Sequence, residues 1–155
     1  MAIAPAPVFI LGKHGREVGQ VIVEATLTNE FDVALADRGL ASAEDIRSVT
    51  VSDMLVDTGA TSLALPLEFI RRLGLRHFRD VEVRTANGDA VVGLYKDATI
   101  SLLGRSGTFE CLALADGTTP LLGCIPMEWL GLEPDLANRT LRVLPEWGRD
   151  TYLML

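Results

Sequence analysis

One short stretch of the chain combines residues that could do acid–base chemistry. Asp57, Thr58, Gly59 and Ala60 come directly after the apolar residues 54–56. An aspartate at the end of a buried apolar strand is costly to ionise unless it has partners. The simpler explanation of this position is a local turn in which the carboxylate accepts backbone N–H groups. The other is a hydrolytic site with two carboxyl groups, which needs its acids on tight, rigid loops that glycine allows to approach closely.

The cysteines and histidines of the chain give little support to other kinds of catalytic site. Cys111 and Cys124 are the two cysteines, and neither belongs to a Cys-x-x-Cys pair or a Cys/His cluster. One disulfide is possible in principle, but we expect two buried thiols instead. His14 and His77 are far apart, so a metal site is disfavoured, and no serine or cysteine has a plausible histidine partner. His77 is expected to be a solvated loop residue. We expect no metal and no organic cofactor.

The elements that must position Asp57 begin with a strand. Residues 21–28 alternate in the period of two that a half-buried strand requires. Residues 33–47 are predicted to be an insertion, or a short helix around residues 42–47. The following strand, from about Val49 to Val56, becomes wholly apolar just before the aspartate, as a strand does when it enters a core.

Downstream of the aspartate, the pattern predicts more strands and two short helices. The helices begin at Pro66 and Pro126, and glycine ends them at Gly74 and Gly131. Asn87-Gly88 joins two strand-like runs and is typical of a hairpin, because both residues tolerate positive φ. Strands are predicted over residues 63–65, 81–85, 90–95, 100–102, 109–114 and 140–144. Many short strands with two short helices indicate a mostly-β, barrel-like domain.

Length and composition fit one domain of this kind. The chain has 155 residues, of which 48% are apolar. We predict an irregular N-terminal tail over residues 1–19, a single domain over residues 20–145, and a C-terminal tail over residues 146–155. The C-terminal tail either folds onto its own core or reaches a dimer interface.

Charge and hydropathy restrict the partners and the location. The formal net charge is −7 and no basic stripe is present, so nucleic acid is an unsuitable partner. The apolar run at residues 8–11 is too short for a transmembrane helix and lacks the basic start of a signal peptide. We therefore expect a cytoplasmic protein that does not bind membranes.

Three motifs in order resemble a known family. Residues 56–62, Val-Asp-Thr-Gly-Ala-Thr-Ser, are followed about thirty residues later by the Asn87-Gly88 hairpin, and then by Leu121-Leu122-Gly123 before a short helix. This order resembles that of retropepsin-like aspartic peptidases, in particular the small bacterial clan AA aspartyl proteases with one such motif per chain. The resemblance covers roughly residues 21–145. It implies a mostly-β, acid-protease barrel with one or two short helices.

The resemblance also implies a role for each motif. Asp57 would be the catalytic acid of an aspartic endopeptidase. Thr58 would form a hydrogen bond across a dimer, beside Gly59 and Ala60 in the same loop. The apolar-apolar-glycine element beneath that loop would be Leu121, Leu122 and Gly123. The flap that closes over an extended peptide would carry Ala86, Asn87, Gly88 and Asp89. Since the chain has one Asp-Thr-Gly, a homodimer would supply the second carboxylate.

Two positions depart from the retroviral pattern. Thr61 stands where retroviral enzymes commonly have aspartate, and Gly123 is followed by Cys124 rather than by arginine. The ion pairs that brace a retroviral dimer are therefore missing, and we expect a weak dimer. The alternative function is a catalytically inactive peptide-binding or dimerisation module with the same fold.

Overall fold

The computed structural model of the chain describes residues 9–11 and 20–145. Within these residues it contains three α-helices, α1 Glu30–Asp37, α2 Leu67–Leu73 and α3 Cys124–Leu130. It also contains ten strands: β1 Phe9–Ile10, β2 Val21–Asn29, β3 Ser48–Val56, β4 Leu63–Pro66, β5 Arg76–Thr85, β6 Gly88–Leu102, β7 Arg105–Leu114, β8 Leu121–Leu122, β9 Leu132–Asp135 and β10 Thr140–Val143.

The first eight strands form one mixed sheet that closes on itself. The strand order is β1-β5-β6-β2-β3-β8-β4-β7, and β6 also pairs with β7. Six strands from β6 to β7 therefore form a closed ring, with β5 and β1 extending from it. The strands β9 and β10 form a separate antiparallel pair. The prediction of a mostly-β, barrel-like domain is confirmed, and the number of short helices is three rather than one or two.

Two apolar clusters fill the interior, and β3 and β8 contribute to both. Met54 and Leu122 belong to the larger cluster, which also packs against α2 and α3. Their neighbours Leu55 and Leu121 belong to the smaller cluster, beside strand β5 and the loop after β3. Because successive side chains of a strand point to opposite faces, a strand between two clusters must be apolar at every position. This explains the continuous apolar run before Asp57.

The helix in the region predicted as an insertion, residues 33–47, begins earlier than predicted. Asn29 ends β2 as expected, but its side chain then caps α1 by accepting a hydrogen bond from the N–H of Asp32 at 3.2 Å. Its side-chain amide also donates to the carbonyl of Leu73 at 2.8 Å. The region predicted as a helix around residues 42–47 contains only a single 3-10 turn, Ala43–Asp45, which begins with a capping box at Ser42.

The bounds of several other elements also differ from the predictions. Residues 9 and 10, inside the segment predicted to be irregular, form β1, which pairs in parallel with β5. The two predicted strands at 90–95 and 100–102 are one strand, β6, with a register shift between Tyr95 and Ala98. The strand β9 was not predicted. Helix α2 begins one residue after Pro66, and α3 begins at Cys124, two residues before the predicted start at Pro126. The predicted C-terminal tail, residues 146–155, lies outside the described residues.

An ion pair attaches α1 to the end of the insertion. The buried carboxylate of Asp32 accepts hydrogen bonds from Arg47 Nε at 2.8 Å, Arg47 Nη2 at 2.9 Å and the Arg47 backbone N–H at 3.0 Å. The side-chain hydrogen bonds from Arg47 hold the pKa of Asp32 below its ordinary value, although burial acts in the opposite direction. The ion pair therefore favours the folded chain while Asp32 is ionised.

We expect Asp32→Asn to lower the free energy of unfolding by about 1.5–3 kcal/mol near neutral pH, the usual range for hydrogen bonds to a charged group. Because the pKa of Asp32 is lower in the folded state than in the unfolded state, the ion pair stabilises the fold fully above the unfolded-state pKa. The difference in unfolding free energy between the variant and the original chain should therefore shrink as the pH falls through the folded-state pKa. Urea denaturation at a series of pH values measures this difference. Asp37→Asn, on the exposed face of α1, is the control, and an equal effect of the two substitutions would contradict this account.

Candidate active site

The loop that carries Asp57 is fixed by its pairing with β8. Residues 55 and 56 of β3 lie beside residues 121 and 122 of β8 in a parallel ladder. The backbone N–H of Asp57 continues the ladder by donating to the carbonyl of Leu122 at 3.0 Å. The predicted proximity of Leu121 and Leu122 to Asp57 is therefore present in the structure. Both leucines are fully buried, so the end of β3 cannot move without disturbing the core.

The carboxylate of Asp57 has two oxygens in different surroundings. Oδ1 accepts a hydrogen bond from the N–H of Gly59 at 2.9 Å, and the Asp57 carbonyl accepts one from Ala60 at 3.1 Å. These bonds form the local turn that the simpler interpretation predicted. Oδ2 is buried and accepts no hydrogen bond from any residue in the described part of the chain. The turn thus accounts for one oxygen only, and the other requires a partner.

Gly123 lies in direct contact with the loop after Asp57. A Cβ atom at this position would be 2.5 Å from the Ser62 carbonyl oxygen, 2.6 Å from the Ser62 nitrogen and 2.8 Å from the Ala60 carbonyl oxygen. The next residues continue the contact, since the N–H of Cys124 donates to Ala60 at 2.9 Å and that of Ile125 to Thr61 at 3.0 Å. All of the obstructing atoms belong to the backbone. Only glycine therefore fits beneath this loop.

We expect Gly123→Ala to destabilise the domain by roughly 1–3 kcal/mol, because inserting a methyl group into a packed site forces the backbone to shift. The control is Gly107→Ala, whose Cβ would approach only side-chain atoms, the nearest 2.9 Å away on Phe109. Because those side chains can rotate, Gly107→Ala should lower the free energy of unfolding less than Gly123→Ala does. Chemical denaturation of the two variants compares them, and an equal loss would contradict a specific role for the contact between Gly123 and the loop.

Thr58 and Cys124 form a second contact between the two loops. The thiol of Cys124 donates to the carbonyl of Thr58 with an S···O distance of 2.8 Å, and the Thr58 residue itself is exposed. Burial, Glu128 and Asp57 all raise the pKa of the Cys124 thiol, in that order of importance. A raised pKa keeps the thiol protonated, which is the form that donates. Cys124 and Cys111 are both free thiols, but only Cys111 is buried; Cys124 is half-buried rather than buried as predicted.

Residues 9–11 were not predicted to join the site, but they do. Thr61 donates its N–H to the carbonyl of Ile10 at 2.8 Å and accepts the N–H of Ile10 on Oγ1 at 3.1 Å. On the other side, Leu11 donates to the carbonyl of Arg84 in β5 at 3.0 Å. The sequence signal for this strand was the apolar run at residues 8–11, which was interpreted as part of a tail.

The predicted hairpin between β5 and β6 is present, with a different turn geometry. The strands pair up to Thr85 and Gly88, so Ala86 and Asn87 form the turn. Gly88 has a φ of 113°, whereas Asn87 is not among the residues with positive φ, so only one of the two expected positive angles occurs. Residues 86–89 are exposed and form the tip of the hairpin, and Thr85, the last residue of β5, is half-buried. Hydrogen bonds through β1 connect this hairpin to the Asp57 loop.

The remaining candidates for chemistry lie elsewhere. His77 is in strand β5 rather than in a loop, and its Nε2 lies 2.8 Å from Asp80 Oδ1. Residues 9–11 and 20–145 contain no group of three or more His, Cys, Asp or Glu residues that could hold a metal ion. None of the helices in the same part of the chain has the length and apolar character needed to span a bilayer.

Comparison with known families adds a match that spans the site. A family model described as gag-polyprotein putative aspartyl protease matches residues 46–128, which is more than half of the chain. The matched segment runs from the residues just before β3 into α3, so it includes the Asp57 loop, the β5–β6 hairpin and Gly123. A search of curated proteins gave no match.

Proposed function

The chain belongs to the gag-polyprotein putative aspartyl protease family and has a mostly-β, retropepsin-like fold, and from this membership we propose that it is an aspartic endopeptidase. Its active site would contain two carboxyl groups, one Asp57 from each of two copies of the chain. The substrate would be an extended segment of a peptide or protein.

The observation that carries this proposal is the buried Oδ2 of Asp57, which has no hydrogen-bond partner among the described residues. A buried carboxylate oxygen without a donor is unfavourable, and such groups in folded proteins almost always have a partner. The sequence contains a single Asp-Thr-Gly. A second copy related by two-fold symmetry would bring a protonated Asp57 carboxyl to this oxygen, which would supply the missing donor.

Hydrolysis would then follow from a proton shared by the two carboxyl groups. Two adjacent carboxylates cannot both ionise comfortably, and aspartic peptidases are the standard example of such a pair. The ionised Asp57 accepts a proton from a water molecule, whose oxygen attacks the peptide carbonyl carbon. The protonated Asp57 donates its proton to the carbonyl oxygen. Collapse of the resulting diol breaks the C–N bond, and the amine leaves with a proton from the pair.

The surrounding residues would serve this chemistry by holding the two loops. The exposed Thr58 is available for a hydrogen bond to the partner copy, and its carbonyl is held by Cys124. Gly59 donates to Oδ1 and so orients the carboxyl group. The exposed hairpin tip, Ala86 to Asp89, would close over the bound peptide, since short exposed hairpins open and close readily.

The alternative of an inactive peptide-binding or dimerisation module is favoured by a specific feature. Thr61 and Cys124 are uncharged, and their polar groups are hydrogen-bonded inside the chain, to Ile10 and Thr58 respectively. They therefore provide no ion pair to brace a dimer. A chain that dimerised too weakly would bind peptides with each copy without cleaving them.

Incubation with casein or a peptide library between about pH 4 and 7, where a carboxyl pair can hold one proton, separates these functions. We expect new cleavage products, and a statine-type inhibitor should abolish them because it mimics the diol. The assay is repeated at increasing protein concentration to populate the dimer. Peptide binding without cleavage at every concentration would support the inactive module instead.

A further inference from the structure

We propose that residues 9–11 of the chain occupy the groove in which the substrate peptide binds, so that this segment is an internal competitor of substrate. The inference rests on the proposed function, because it assigns an occupant to the groove, or slot, in which the same site would hold a peptide. It also specifies the substrate class, which is an extended peptide with apolar side chains at alternate positions.

The first argument is that the segment is bound by the loop and by the hairpin at the same time. Ile10 exchanges two hydrogen bonds with Thr61, four residues after Asp57. Leu11 donates to Arg84, one residue before the last residue of β5, and Phe9 and Ile10 lie beside Val83 and Arg84 in a parallel ladder. An extended chain with both edges bonded in this way lies between the two elements that would enclose a substrate.

The second argument concerns which groups the segment uses. They are backbone groups of the segment itself, bound to the N–H and Oγ1 of Thr61 and to the carbonyl of Arg84. Backbone bonds of this kind hold any extended peptide by strand addition, whatever its side chains. Because these groups can accept only one strand at a time, a substrate peptide that uses them must displace residues 9–11.

The third argument comes from the side chains. Leu11 is buried, with 8% of its surface exposed, and Phe9 is partly buried; both pack against the smaller apolar cluster, which includes Ala60 and Val83. Ile10 between them is 46% exposed. The slot therefore offers apolar contacts at every second position and solvent at the position between. Specificity in strand addition arises from such alternating pockets.

Competition within one chain is effective because the competitor belongs to the same molecule. Covalent connection of this kind gives an effective concentration that reaches about the millimolar range, so an added peptide of similar intrinsic affinity must exceed that concentration to displace the segment. Weakening the hydrogen bonds of residues 9–11 should release the slot. The apparent affinity for an added peptide should then rise without any change in the slot itself.

The test compares Ile10→Pro with Ile10→Ala, both in full-length chains that also carry Asp57→Asn. Proline removes the N–H that Thr61 accepts, whereas alanine keeps it and shortens only an exposed side chain. The probe is a fluorescently labelled synthetic peptide with the sequence of residues 6–13. By fluorescence anisotropy, we expect the Pro variant to bind the probe about tenfold more tightly than the Ala variant or better. Equal affinities, or no binding by either, overturn the proposal.

A second measurement covers the case in which the Pro variant does not fold. Saturating unlabelled probe is added to the Asp57→Asn chain, and amide exchange is followed. Exchange at Ile10 and Leu11 should accelerate because they leave the slot, while Thr61 stays protected by the probe. Unchanged exchange at both residues overturns the proposal. Neither measurement requires catalysis, so their failure is distinguishable from the failure of the proposed endopeptidase activity, which the cleavage assay tests.

Discussion

Asp57→Asn is expected to lower kcat/KM for peptide cleavage by several orders of magnitude, because asparagine can neither accept a proton from water nor donate an acidic one. The fold should persist. The Asn side-chain oxygen can still accept the N–H of Gly59, which lies 2.9 Å from Oδ1 in the structure. The side-chain amide would take the place of the buried Oδ2. Steady-state cleavage of a library-derived peptide measures the loss, and chemical denaturation measures the folding.

The control for this prediction is Asp53→Asn, an identical chemical change four residues earlier, within β3. Asp53 is exposed, so its replacement should leave both activity and stability nearly unchanged. If the purified Asp57→Asn chain cleaved peptides at a near-normal rate, the assignment of Asp57 as the catalytic group would be wrong. A loss of activity in both variants would indicate a general effect of charge.

The sequence predicted the strand that carries Asp57 for a physical reason that the structure makes clear. Met54 and Leu55 face opposite apolar clusters, so both must be apolar, and the run is visible without any knowledge of partners. The position of Leu121 to Gly123 beneath the loop had no such local signal. It followed from the resemblance to a family, because parallel pairing between segments more than sixty residues apart leaves no trace in local periodicity.

The errors fall where a distant contact overrides the local pattern. Asn29 was correctly predicted to end a strand, but its role as a helix cap was missed; its side-chain amide contacts the carbonyl of Leu73, 44 residues away. Strand β1 was missed because a run of two residues is too short to show a period. Its partners, Thr61 and Arg84, are 51 or more residues away from it. The parts of the site that were missed are therefore those made by pairing across the chain.

The second large effect concerns the number of chains in the active unit. If wild-type and Asp57→Asn chains are mixed and allowed to exchange, activity should follow the square of the wild-type fraction. The reason is that two carboxylates are needed and each chain has a single Asp-Thr-Gly, so only pairs of wild-type chains are active. At equal amounts of the two chains, activity should fall to about a quarter rather than a half. The measurement is the initial rate at constant total protein.

Dilution provides an independent check on the same prediction. The residues that stand in the bracing positions, Thr61 and Cys124, make their hydrogen bonds within the chain rather than ion pairs. The dimer should therefore be weak, and specific activity should fall as total protein is lowered, since pairing follows mass action. Asp53→Asn chains mixed with wild type serve as the control and should leave the rate unchanged at every ratio. A linear mixing curve, with specific activity constant on dilution, would mean that a single chain performs the hydrolysis and that the buried oxygen of Asp57 finds its partner some other way.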